Sequence, residues 1–229
     1  RLGDDVVCLL KEAGVETVAL APECGSRRLR DVVRKNISDE QIFTAVEKLV
    51  LHEIPNIRLY FMVGLPTETD DDIEAIIRLV KKINHYAVKA SSGTKRFRRI
   101  TVSLNQFIPK PATPFQWYPL EDTGVVRKKI TKIKRALQRY GAISVIHDLP
   151  KWNYVQALLS LGDRRVSGIL TAVHKYGGNW SRAFKETSLN PDYYVYREKH
   201  KDEILPWGFI DHGFAPSLLL REYEKTRIP

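Results

Sequence analysis

The chain has 229 residues and a mass of 26.3 kDa, enough for one large domain or two small ones with a sizeable core. Its 43% hydrophobic and 28% charged residues exclude a disordered chain, no apolar run approaches the roughly 18 residues of a membrane span, and two cysteines, Cys8 and Cys24, exclude a disulfide framework or a four-thiolate metal site. The net charge of +10 is concentrated in one place: residues 91–141 carry 12 basic and 2 acidic side chains, against 13 and 15 in residues 1–90 and 12 and 10 in residues 142–229. With no signal peptide at Arg1, the expectation is a reducing, cytoplasmic setting away from membranes.

Residues 2–13 read as a helix closed by Gly14, and residues 15–21 follow as an apolar, β-branched strand. Because Arg1 opens directly into this helical pattern, the chain reads as cut from something longer. Asp31 to Lys35 continue a short helix with Leu29, Val32 and Val33 on one side. Ser38 and Gln41 then have capping-box spacing ahead of a helix whose Ile42, Val46, Leu49 and Val50 share a face. Asn56–Val63 is the next strand. The helix starting at Thr69 gathers Asp70, Asp71, Asp72 and Glu74 at its positive end, a placement that stabilises each carboxylate by roughly 0.3–1 kcal/mol. Its buried stripe is Ile73, Ile76, Ile77, Val80 and Ile83. A polar, basic loop over residues 91–98 leads into a strand at 99–107. Asp122 or Thr123 caps a helix to Tyr140, with Val126, Ile130, Ile133 and Leu137 on its apolar side and mostly Lys and Arg elsewhere. Residues 142–147 offer a further strand. Helical segments and an aromatic tail with Trp180, Tyr193, Tyr194, Tyr196 and Trp207 follow, which places a boundary near residues 148–151. The tail aromatics read as packing rather than as a base-stacking platform.

Alternation of strand and helix implies parallel strands with right-handed crossovers, and in such folds ligands sit at the carboxyl ends of the strands. The first strand ends in Pro22-Glu23-Cys24-Gly25-Ser26, which also reads as a turn with Ser26 as helix cap. The second ends in Gly64-Leu65-Pro66-Thr67-Glu68-Thr69, where Gly64 permits close backbone approach and Pro66 sets the turn. The third ends in Asn105-Gln106-Phe107-Ile108-Pro109, and a proline-rich stretch runs on to Pro114 and Phe115.

Together these three ends resemble the second half of the radical S-adenosylmethionine (radical SAM) core. Glu23, Gly25 and Ser26 match that superfamily's Glu-x-Gly-Ser after the fourth strand; Gly64, Leu65, Pro66, Glu68 and Thr69 match its Gly-φ-Pro-x-Glu-Thr after the fifth; Pro109 to Pro114 is similar to its Pro-x-x-Thr-Pro after the sixth. Gly162-Asp163-Arg164-Arg165, Leu205-Pro206-Trp207 and Leu219 to Tyr223 are similar to the C-terminal region of uncharacterised bacterial Fe–S oxidoreductases, which commonly carry a cobalamin-binding-type domain ahead of the core. The fold implied is α/β: the second half of a partial (β/α)6 TIM-like barrel over residues 1–149, then a mainly helical C-terminal extension over 150–229.

The resemblance implies an enzyme that, in full length, cleaves S-adenosylmethionine reductively using a [4Fe-4S] cluster. Glu23 or Ser26 would hydrogen-bond the ribose or methionine end, with Gly25 between them, and Arg27 or Arg28 would pair with the carboxylate; both arginines read equally as solvated first-turn residues. Met62, Val63, Gly64 and Leu65 would line the adenine, although Met62 and Val63 also read as barrel core. Asn105 or Gln106 would reach cofactor or substrate, and strand alternation lets at most one point inward. The superfamily's Cys-x3-Cys-x2-Cys motif does not occur here, so the cluster ligands are expected outside this chain and cobalamin in an upstream domain. The competing reading is a module that binds RNA or another polyanion through residues 91–141, with Lys95, Arg96, Arg98 and Arg99 at its start. A third expectation is self-association through an exposed strand edge. The six histidines form no metal-ligand spacing and read as surface or cap residues; Asp211-His212 and Asp163 read as structural hydrogen-bonding and helix-cap residues.

Overall fold

The structure, a computed structural model, describes residues 2–92 and 97–227, so Lys95 and Arg96 of the basic loop lie outside the described residues. Two compact units divide the chain, one of residues 1–106 and 126–148, the other of residues 107–125 and 149–229. Among the described residues no helix is long and apolar enough to cross a membrane.

In the first unit, α1 (Asp4–Glu12) ends at Gly14, whose φ of 72° takes the left-handed conformation that closes a helix. Strand β1 (Thr17–Glu23) begins two residues later than the sequence pattern suggests. The Val15 N–H is still bonded to Leu10 O, 3.0 Å away, so the backbone finishes the helix turn before it joins the sheet. Helix α2 (Arg27–Val32) is capped by Ser26, whose hydroxyl accepts from the Leu29 N–H at 3.1 Å. It stops short of Lys35 because Arg34 turns left-handed at φ 57°. Helix α3 (Asp39–Leu51) carries the expected capping box, with Ser38 and Gln41 exchanging hydrogen bonds of 3.2 and 3.0 Å.

Strand β2 (Asn56–Val63), helix α4 (Asp70–Ala90), strand β3 (Arg99–Gln106), helix α5 (Thr123–Leu137) and strand β4 (Ile143–His147) complete the alternation. The strands pair in the order β1-β2-β3-β4, every pair parallel, as βαβ crossovers require. This is an α/β fold consistent with a partial TIM-like barrel. Burial alternates along β2: Ile57, Leu59, Phe61 and Val63 are buried, and Arg58, Tyr60 and Met62 are not fully so. The buried set joins Ile100, Val102 and Leu104 of β3 under Val7, Val46, Leu49, Ile73, Ile76, Val80 and Ile83 of the helices, with Val126, Ile130, Ile133 and Leu137 from α5. Helix α5 ends at Leu137, and the Tyr140 N–H turns back to Leu137 O at 3.0 Å to start β4. The opposite face of the sheet is the more polar one. Register rows place Arg58 beside Thr101 and Ser144, Tyr60 beside Ser103, and Met62 beside Asn105, and the Ser144 hydroxyl donates to Thr101 Oγ1 at 3.3 Å.

In the second unit, α6 (Pro150–Leu161), α7 (Ser167–Lys175), α8 (Trp180–Glu186) and α9 (Asp192–Val195) close on a core of Ala157, Leu158, Ile169, Val173, Ala183, Tyr194 and Val195. Helix α10 (Pro216–Arg227) ends the described residues. The aromatic tail packs only in part: Tyr194 is buried and the buried Trp207 donates its indole N–H to Gln116 Oε1 at 2.6 Å, whereas Tyr193 is 49% exposed; Tyr154 of α6 meets Phe184 edge-on at 5.7 Å.

Candidate functional site

The carboxyl ends of β1 and β2 are tied together by one buried carboxylate. Asp72, in the first turn of α4 and only 3% exposed, accepts from the Ser26 hydroxyl at 2.5 Å, the Arg28 guanidinium at 2.5 Å, and the Thr69 N–H and hydroxyl at 2.8 Å each. Arg28 also donates to Thr67 O at 2.8 Å. Burial by itself pushes the Asp72 carboxyl upward, and the hydrogen bonds from Ser26 and Thr69, with Arg28 after them, outweigh it, so its pKa lies below 3.8. A carboxylate depressed in the folded state stabilises the fold above its unfolded value and loses that contribution as pH falls through the folded one. Unfolding in urea at pH 6 and at pH 3 is therefore expected to show a steeper loss of stability in acid for the native chain than for Asp72→Asn; equal losses would contradict the assignment.

The Gly64 loop is held by a second buried carboxylate. Glu68 accepts the Gly64 N–H at 3.0 Å and pairs with Lys129 of α5 at 2.7 Å; their side chains are 1% and 12% exposed. Gly64 itself has φ 81°, the conformation that favours glycine after a strand. The acidic first turn of α4 thus divides by position, with Asp72 buried as a clasp while Asp70 and Asp71 face solvent.

Each residue expected at the strand ends has a definite place. Glu23 sits at the end of β1 with φ 65°, its carboxylate 3.5 Å from Lys35. Gly25 lies against the backbone of α4, where an added Cβ would stand 2.1 Å from Ile76 N and 2.5 Å from Ala75 C. Ser26 both caps α2 and donates to Asp72, and Arg27 is exposed and paired with Asp31 at 2.9 Å. Arg28 joins the clasp. Val63 and Leu65 are buried, Val63 within the helix-side core. Gln106 is likewise buried, on the side of Leu104. Met62 and Asn105 remain as cross-strand neighbours on the polar face, one residue before the strand ends. Strand alternation divides both expected pairs, Met62 from Val63 and Asn105 from Gln106.

Arg30 was passed over in the sequence pattern. It is 1% exposed, donates to Cys24 O at 3.1 Å and Gly25 O at 3.2 Å, and pairs with Asp39, so a buried guanidinium organises the turn after β1. Cys24 within that turn is buried, and burial, then the nearby Glu68 and Glu23 carboxylates, push its thiol up to about 12. A protonated, enclosed Cys24 and an exposed Cys8 on α1 do not fit the three closely spaced thiolates that a [4Fe-4S] cluster of this kind needs. Among the described residues no group of three His, Cys, Asp or Glu side chains is placed to hold a metal ion.

Part of the basic charge on α5 serves the fold, since Lys129 neutralises Glu68 and Lys132 pairs with Glu74 at 2.8 Å. In the second unit Asp163 caps a 3-10 turn at residues 164–166 and accepts from Arg165 and Tyr194, and Asp211 Oδ1 accepts the Gly213 N–H at 2.8 Å.

Comparison with known proteins bears on both strand ends of the clasp. The sequence model of the Radical SAM superfamily matches residues 1–80, the stretch that contains both. An uncharacterized protein of Methanocaldococcus jannaschii is 36% identical over 169 residues, covering 74% of this chain and 34% of its own length. An uncharacterized methyltransferase of Pyrococcus horikoshii is 32% identical over 84 residues, 35% of this chain and 17% of that protein. The tRNA-2-methylthio-N(6)-dimethylallyladenosine synthase of Buchnera aphidicola is 29% identical over 85 residues, 35% of this chain and 19% of that protein. The chain spans about a third of the length of the first of these relatives and less than a fifth of the other two. Residues 1–80 thus match the superfamily model, on a parallel α/β scaffold.

Proposed function

We propose that this chain supplies the second half of a radical SAM barrel and that the whole protein cleaves S-adenosylmethionine reductively. The observation that carries this reading is the superfamily match over residues 1–80, which spans Glu23 to Ser26 and Gly64 to Thr69. S-adenosylmethionine supplies an adenosyl radical when it takes up one electron, and the protein's part is to bind and orient it. In this reading Met62 and the Gly64-Leu65 backbone flank the adenine, Asn105 offers a donor and an acceptor from the neighbouring strand, and Glu23 stands ready for a ribose hydroxyl. Gly25, Ser26 and Arg27 act by holding the loop that presents Glu23. No cluster ligand is assigned to this chain, because its two thiols do not fit the role. The polyanion-binding alternative for residues 91–141 is not favoured, and within that segment Lys129 is engaged with Glu68 of the Gly64 loop and Lys132 with Glu74 of α4.

Equilibrium binding of S-adenosylmethionine to the whole protein tests the placement of Met62 and Asn105. Asn105→Ala combined with Met62→Asp is expected to weaken binding by about tenfold or more, the scale of one lost hydrogen bond plus one misplaced charge, with the unfolding midpoint little changed. Unchanged affinity in a folded double variant would move the adenosyl site elsewhere.

A further inference from the structure

At the other end of the sheet, three chemically complementary groups meet that the proposed cofactor site does not use. Cys8 and Asp4 lie one helical turn apart on α1, and His52 is the C-terminal cap of α3, four residues before β2 begins. Cys8 Sγ is 3.6 Å from His52 Nδ1, and His52 Nε2 is 3.8 Å from Asp4 Oδ1. The two contacts agree on one proton arrangement: Nδ1 accepts from the thiol while Nε2 carries its proton toward the carboxylate. Asp4 is held in turn by Lys48 Nζ at 3.2 Å, and Lys11 pairs with Glu53 at 3.5 Å beside the same helix cap. Cys8 is exposed, in contrast to Cys24.

We propose that Cys8, His52 and Asp4 form a reactive thiol site that exchanges with low-molecular-weight disulfides. A nucleophile, a base within reach and a group that orients the base are the elements of thiol activation. The solvent-exposed position suits small reagents. In the exchange, His52 Nδ1 takes the Cys8 proton and the thiolate attacks one sulfur of the disulfide. The old S–S bond breaks as the Cys8–S–S–R bond forms, and the departing thiolate takes the proton back from His52. Cys8 is oxidised to the mixed disulfide, one sulfur of the reagent is reduced to a thiol, and no further oxidant is needed.

The test is peptide-resolved labelling with glutathione disulfide at pH 7, read by mass spectrometry on the tryptic peptide of residues 2–11, which contains Cys8. Mixed-disulfide formation at Cys8 is expected to be roughly tenfold faster in the native chain than in His52→Gln, with Asp4→Asn intermediate and Cys24 unlabelled in the folded state. Circular dichroism of each variant reports that the fold is kept. Rates within twofold of one another in folded native, His52→Gln and Asp4→Asn proteins would overturn the proposal and leave Cys8 an ordinary surface thiol.

Discussion

Replacing Glu68 with Ala is expected to cost about 3–5 kcal/mol of stability, the range seen when one partner of a buried ion pair is removed and the other is left behind. Lys129 would keep its charge at 12% exposure without the carboxylate 2.7 Å away, and the Gly64 N–H would lose its acceptor. The cost combines the attraction lost at 2.7 Å with the unmade hydrogen bond of the Gly64 N–H. Combining Glu68→Gln with Lys129→Met removes both charges and is expected to recover most of the loss, as matched replacement of buried pairs does. Urea unfolding of the single and double variants measures this directly. A loss under 1 kcal/mol for Glu68→Ala would mean that the pair does not hold the loop after β2.

Gly25→Ala is the second change with a large expected effect. The new methyl group would meet main-chain atoms of α4 at 2.1 and 2.5 Å, and a backbone cannot swing aside as a flexible side chain can. Either α4 or the turn after β1 must move. Such overpacking costs about 1–3 kcal/mol or more, and here it also pulls Ser26 from Asp72 and disturbs the two carbonyls that Arg30 grips. The measured outcome should be a lower urea midpoint with weaker S-adenosylmethionine binding by the whole protein. Gly25→Ala with unchanged stability would show that the turn has room that the close approach denies.

The elements most legible in the sequence are those set by local rules. The Ser38 and Gln41 capping box marked the start of α3, and Asn56–Val63 was legible as the strand β2. The parallel sheet followed from the succession of strand and helix. The start of β1 was displaced because the turn that ends α1 consumes Val15, an effect of helix closure that strand propensity does not register. At the strand ends the partners that hold the loops together were out of reach of the sequence motifs. Ser26 and Asp72 are 46 residues apart, and Glu68 and Lys129 are 61 apart, so neither contact leaves a periodic trace. Nothing in the sequence around Gly25 shows that its small size is required by the backbone of α4 at Ala75 and Ile76, 50 and 51 residues away. Lys129 flanks the buried stripe of α5 at Ile130, and that position beside an apolar face was the available sign that its charge turns inward.

The central claim is that the polar strand ends of this chain belong to a barrel that breaks S-adenosylmethionine by one-electron reduction. The measurement that tests it most directly is 5′-deoxyadenosine released by the whole protein, reconstituted anaerobically and supplied with S-adenosylmethionine and a low-potential reductant. Release dependent on the reductant, and strongly reduced by Asn105→Ala with Met62→Asp, is the predicted result. Release at the level of a protein-free control, from a protein whose cluster is verified by spectroscopy, would contradict it.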